Sequence, residues 1–154
     1  MLIETDRLII KPTTINDVDL ILKMDKQEIT QKYLGGIKNK TKDERVTFIE
    51  KKESLLTVSL KDNTPIGLIG LKVNNEEAEL SYIFDYDYCN KGYCTESCKS
   101  LIDYAFSKLN INRIIADTVE GNNSSKRVLE KLGFKYLNTT QNDNINFLNY
   151  ELKR

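Results

Sequence analysis

Lys91, Gly92 and Thr95 stand where a strand pattern gives way to a helix pattern, a setting in which a chain can hold phosphate. From Glu79 the residues alternate, with Leu80, Tyr82 and Phe84 on one side and Ser81 and Ile83 on the other. Asp85 to Gly92 is polar and turn-like. From Tyr93 the period changes, and Cys94, Cys98, Leu101, Ile102, Ala105 and Leu109 form the apolar stripe of a helix of about four turns. The first N–H groups of a helix lack partners within it and carry the positive end of its dipole, so they suit a phosphate. Gly92 lets the backbone approach a ligand with no Cβ in the way, and Lys91 adds a cation. Many strand–loop–helix units with a glycine bind nothing, so these residues alone leave both readings open.

Other chemistries are excluded by composition. The chain has no histidine, which removes Ser-His-Asp and Cys-His catalysis and histidine-based zinc sites. A general base must then be a carboxylate, tyrosine, lysine, thiolate or ordered water. Cys89, Cys94 and Cys98 lack the CxxC spacing of a zinc or redox pair. Cys94 and Cys98 fall on the apolar helix face, where a free cysteine acts as a small hydrophobe, leaving Cys89 as the thiol to watch. Lys+Arg and Asp+Glu number 23 each, so no global field draws the chain to nucleic acid or an anionic membrane. No apolar run reaches the roughly 20 residues of a membrane span, and MLIETDR lacks the order of a signal peptide. Cytoplasm is the expected location.

The elements that must position this loop follow in order. Leu8 to Lys11, ended by Pro12, suits a first strand. Thr14 or Asn16 caps a helix carrying Val18, Ile21 and Leu22. Gln27 to Leu34 reads as a short helix closed by Gly35-Gly36, and Thr41 to Ser54 as a charged surface helix. Leu55–Leu60 and Pro65–Val73 read as strands joined by a four-residue turn. Ile111–Val119 is a β-branched run, hence a buried strand. Asn123 or Ser124 caps a helix with Val128, Leu129 and Leu132 as its stripe and Gly133 as its stop. Phe134–Thr140 and Ile145–Leu152 form a last hairpin around Gln141 to Asn144. A single domain spanning residues 1–154 is expected, a mixed α/β (α+β) sheet flanked by helices.

Three stretches resemble a known family. Asn-Lys-Gly-Tyr-Cys-Thr-Glu (90–96) is similar to the G-K-G-Y-A-T-E acetyl-CoA loop of the Gcn5-related N-acetyltransferases (GNAT), in the branch of the Rim-type ribosomal-protein and spermidine acetyltransferases. Asn90 and Cys94 stand where that pattern has glycine and a small residue. The run E-T-x-R-L (4–8) resembles the start of Rim-type members. Asn122, Ser125 and Val128 to Phe134 resemble N-x-x-S-x-x-V-L-E-K-L-G-F, nearly residue for residue.

The resemblance implies the GNAT fold, with a mostly antiparallel mixed sheet of about six to seven strands and a splayed central pair. It implies acetyl transfer from acetyl-CoA to a primary amine, without metal: a protein N-terminus first, a small amine or polyamine second. The loop from Cys89 through Asn90, Lys91, Gly92, Tyr93, Cys94 and Thr95 would hold the pyrophosphate. Backbone groups of Tyr82, Ile83 and Phe84 would run beside the pantetheine, one N–H polarising the thioester carbonyl. Asn122 would bond the pantetheine arm, though as an asparagine before a helix it equally suits a turn. Ser125 matches a serine proposed to assist the leaving thiolate, and equally a helix-start serine. The tyrosine that many members use as acid is replaced here by Leu129. Glu79 and Asp117 are the candidate bases, a salt bridge or exposure at a strand end being the alternative for each. Tyr33 and Phe48 lie in the region that shapes the acceptor pocket, and either monomer or homodimer is compatible. A non-catalytic acyl-CoA-binding sensor or interaction domain is the rival reading, resting on Asn90, Leu129 and the unassigned base.

Overall fold

A computed structural model describes residues 1–154. Eight strands form one sheet: β1 (Ile3–Glu4), β2 (Leu8–Pro12), β3 (Leu55–Leu60), β4 (Pro65–Asn74), β5 (Glu77–Phe84), β6 (Arg113–Val119), β7 (Lys135–Asn142) and β8 (Ile145–Lys153). Their order is β1-β2-β3-β4-β5-β6-β8-β7, antiparallel throughout except where β5 meets β6. Seven of these are the strands that alternation predicts. The eighth, β1, is a two-residue edge too short to leave a periodic signal.

Five helices cover the sheet: α1 (Val18–Asp25), α2 (Glu28–Gln31), α3 (Lys42–Lys51), α4 (Tyr93–Lys108) and α5 (Asn123–Lys131). A 3-10 turn over Ile15–Asp17 precedes α1, and a capping box ties Thr14 to Asp17. Thr41 and Glu44 make the same reciprocal cap for α3. The predicted helix at Thr41–Ser54 therefore starts where its cap dictates and stops short of Ser54. None of the helices is long and apolar enough to cross a membrane.

Side-chain alternation splits the core in two. Leu80 and Phe84 of β5 join Ile69 and Leu71 of β4 and the buried stripe of α4, Cys98, Leu101, Ile102 and Ala105. On the opposite face, Leu68 and its cross-strand partner Ile83 pack with Val18, Leu20, Ile21, Met24 and Ile49 under α1 and α3. A buried ion pair locks this second layer, Arg45 gripping Asp25 with Nε at 2.7 Å. The last hairpin turns over Asp143 and Asn144 alone, at φ 50° and 64°, rather than over Gln141 to Asn144. Left-handed φ at both positions matches the strand twist, so pairing continues to the turn.

Candidate functional site

After β5 the chain makes a 3-10 turn at Tyr86–Tyr88 and enters α4 at Gly92, whose φ is 81°. Asn90 is left-handed as well, at 61°. Asparagine is the residue other than glycine that tolerates this region best, so the departure from the usual glycine keeps the loop's shape. The N–H groups of Asn90 through Thr95 donate to no protein acceptor; the next one, on Glu96, returns to the Gly92 carbonyl at 3.0 Å. A row of free donors at a helix start, with no Cβ at Gly92, fits a diphosphate.

Asp85 anchors this loop from beneath, a role that local sequence pattern does not disclose. Its carboxylate is buried and takes a 2.6 Å ion pair from Lys23, a 2.8 Å bond from the Gln27 amide and a 3.0 Å bond from the Asp87 N–H. Burial pushes its pKa up, but these donors outweigh it and hold the carboxyl below its usual value. Lys23 is pushed up to about 12, chiefly by the bond to Asp85 and then that to Asp87. Glu96, in the first turn of α4, receives the Thr5 hydroxyl at 2.6 Å and the Arg7 guanidinium at 2.6 Å.

The central strand pair splays. β5 and β6 are in register only from Glu77 to Glu79 against Arg113 to Ile115, and beyond that point they part. The Asp85 N–H donates to the Ile66 carbonyl across β4. By antiparallel alternation Ile83 then spends its backbone groups on Leu68, while those of Tyr82 and Phe84 face the parted edge. The Thr30 hydroxyl approaches the Phe84 carbonyl at 3.4 Å. Of the three strand residues expected beside a ligand, two therefore offer backbone bonds there and Ile83 does not.

The start of α5 lies across this opening. Asn122 caps it through its side-chain carbonyl, 3.4 Å from the Ser125 N–H, which leaves the amide NH2 free. Ser125 Oγ is 2.8 Å from the Tyr82 phenol. Thr118, on the strand bordering the opening, has a buried hydroxyl without a hydrogen-bond partner. Leu129 is fully buried in the main core, so its position presents no acid to the opening.

Glu79 and Asp117 share the opposite face of the sheet. The pairing of Glu79 with Ile115 puts both carboxylates on one side, and both line a 240 Å³ cavity with Leu137, Asn138 and Asn149. Neither carboxylate has a salt bridge or hydrogen bond. Partial desolvation between the strands, and then the charge of Glu79, raise the pKa of Asp117. Tyr33 spans the neighbouring gap, its phenol donating to the Gly121 carbonyl at 3.1 Å. Phe48 instead packs against the α1–α3 layer, with Arg45 over its ring at 5.2 Å. Burial raises the thiol pKa of Cys89, and a bond that the Cys94 thiol donates to Cys98, then burial, raise that of Cys94, so neither is primed as a nucleophile. A larger groove, 730 Å³, runs between α5 and the last hairpin past Glu120, Phe134 and Tyr136; it borders Asn122 but neither carboxylate.

Comparison with known proteins agrees with this geometry. The family described as acetyltransferase (GNAT) domain matches residues 7–135. The uncharacterized N-acetyltransferase YnaD of Bacillus subtilis (strain 168) is 27% identical over 143 residues, 88% of this chain and 83% of its own length. The GNAT-family acetyltransferase of Bacillus anthracis superposes with a TM-score of 0.89 at 25% identity, over 99% of this chain and 98% of its own. A spermidine N-acetyltransferase of Vibrio cholerae, solved with CoA and spermine, shares the fold with a TM-score of 0.83 at 17% identity, over 97% of this chain and 96% of its own.

Proposed function

The chain belongs to the GNAT family of acetyl-CoA-dependent N-acetyltransferases, and we propose that its acceptor is a primary amine at a protein N-terminus, ahead of a small amine or polyamine. The observation that carries this is the pair of unpartnered carboxylates, Glu79 and Asp117, in one cavity beside the parted strands. A protonated amine is drawn to such a pair, and a polyamine calls for more acids than this cavity holds, since Arg113 is its other charged lining residue. On the same wall the Asn149 NH2 donates to Asn138 Oδ1 at 2.8 Å and Thr140 Oγ1 at 3.1 Å, which leaves the Asn138 NH2 and the Asn149 carbonyl for a peptide backbone.

In this reading all 154 residues act as one catalytic unit. The N–H groups of Asn90 to Thr95 hold the pyrophosphate. Tyr82 and Phe84 bond the pantetheine through the open strand edge, and Asn122 does so through its free amide. Acetyl-CoA supplies an activated acyl group with a thiolate as leaving group. Asp117 or Glu79 accepts the ammonium proton, directly or through water, so that the free amine can attack. A backbone N–H at the splay steadies the charge that develops on the carbonyl oxygen. Ser125 offers its hydroxyl to the departing sulfur.

The test is calorimetric titration with acetyl-CoA followed by thiol release with N-terminal peptides and with polyamines. Saturable binding and faster release with peptides support the proposal. Faster release with polyamines overturns the acceptor assignment, and no binding of acetyl-CoA overturns the cosubstrate.

A further inference from the structure

Arg7 and Glu96 join two stretches that stand 89 residues apart in the chain. We propose that Arg7 is a positioning residue that sets the geometry of the phosphate-binding loop; this rests on reading Asn90 to Thr95 as the acetyl-CoA diphosphate site.

The guanidinium touches the loop at four places. Its Nε and Nη2 donate to Glu96 Oε2 at 2.7 and 2.6 Å. Its Nη1 donates to the Lys91 carbonyl at 2.9 Å. It lies over the Tyr93 ring at 4.5 Å, and a Cβ built on Gly92 would stand 3.3 Å from Nη2. The backbone N–H of Arg7 and the Thr5 hydroxyl meet the other carboxylate oxygen of Glu96, at 3.2 and 2.6 Å, so the grip is anchored on the segment before β2.

The bond to Lys91 matters because its carbonyl shares a peptide plane with the Gly92 N–H. The plane is rigid and trans, so holding the carbonyl on one side aims that N–H to the other. The Gly92 N–H is in the middle of the free donor row. Parallel N–H dipoles repel one another, so a row of free donors keeps its aim best where a neighbouring group holds the peptide planes. Glu96 balances the charge of Arg7, which makes its contribution orientation rather than attraction. An exposed Arg–Glu pair alone counts for little; the added bond to a loop carbonyl separates this one from a surface ion pair.

The experiment measures CoA affinity by calorimetry and steady-state kinetics for Arg7→Met, Arg7→Lys, Glu96→Gln and the Arg7→Met/Glu96→Gln double variant. Losing a preorganised, charge-assisted contact should raise the Kd for CoA about tenfold in Arg7→Met, while kcat at saturating acetyl-CoA stays within about threefold. Lysine keeps a charge for Glu96 but cannot also reach the Lys91 carbonyl in a fixed fork, so Arg7→Lys should lose about threefold. It also carries the test if Arg7→Met fails to fold. The double variant should be no worse than Arg7→Met. A Kd for both Arg7 variants within about twofold of wild type overturns the proposal, as does a fall in kcat and Tm with unchanged KM. Wild-type protein that binds no CoA overturns this proposal together with the acetyl-CoA reading; wild-type binding that the Arg7 variants match overturns this proposal alone.

Discussion

The phenol oxygen of Tyr82 lies 2.8 Å from Oγ of Ser125, bridging β5 to the start of α5 across the parted strands. Burial raises the pKa of this phenol well above its usual value, so it remains protonated, and either oxygen can donate to the other. A Ser125 hydroxyl that accepts from Tyr82 keeps its own proton for a neighbour in the opening. The expected outcome for Ser125→Ala is a fall in kcat of about tenfold with little change in KM for acetyl-CoA, the lower part of the range for one positioned donor. Tyr82→Phe should lower kcat less, since Ser125 is then only less well oriented. Steady-state rates of thiol release decide it; wild-type kcat in Ser125→Ala removes the serine from the chemistry.

Gly92 combines a left-handed φ with a place in the middle of the free donor row. Valine there meets backbone strain of about 1–2 kcal/mol before any clash with ligand. CoA affinity should fall by about tenfold or more in Gly92→Val, the Cβ both straining the loop and narrowing the phosphate cradle. Calorimetry checks this, and unchanged affinity would place the diphosphate elsewhere.

Asp117 must be ionised to accept a proton, and its raised pKa puts that event above the ordinary carboxylate value of about 4. The acid limb of the kcat/KM profile should therefore stand above that value. Removing the Glu79 charge lets Asp117 ionise more readily, so Glu79→Gln should move the limb to lower pH. Asp117→Asn should lower kcat by about tenfold or more across the profile. If neither variant changes rate or limb, the base lies outside this pair.

The Lys23–Asp85 pair predicts acid sensitivity around the loop. Because the donors around Asp85 hold its folded pKa below the unfolded one, its stabilisation is fully present above the ordinary value of about 4 and is lost as pH falls through the folded value. Lys23→Met leaves the buried carboxylate with the Gln27 and Asp87 donors only. It should cost about 1–3 kcal/mol at pH 7, discounted because the Lys23 side chain is half exposed. The difference from wild type should shrink below about pH 4. Urea unfolding at both pH values measures it, and a difference that does not shrink would assign the effect to lost packing.

Sequence periodicity was enough for nearly every element, because strand alternation and the helical stripe of Cys98, Leu101, Ile102 and Ala105 reflect which faces must leave water. The loop with the free N–H donors was legible for a similar reason: the change of period at Gly92 marks a helix start, and a helix start carries such donors. The cap at Thr14 also stood where a short oxygen side chain is required, whereas α5 is capped by Asn122 rather than by Asn123 or Ser124, because it is the Asn122 side-chain carbonyl that meets the Ser125 N–H. What the chain could not disclose locally depends on partners distant in sequence. Glu79 and Asp117 were each candidates in the sequence, but only the register of β5 and β6 makes them a pair by putting both carboxylates on one wall. Arg7 and Glu96, and Lys23 and Asp85, read as solvated charges until the fold brings each pair within 2.6 Å. Ile83 and Tyr82 differ in backbone availability only because strand pairing alternates, and pairing belongs to the sheet, not to the segment. Hydrophobic burial acts on each segment's own pattern and so is written along the chain; hydrogen-bond and charge partnership is decided where distant segments meet.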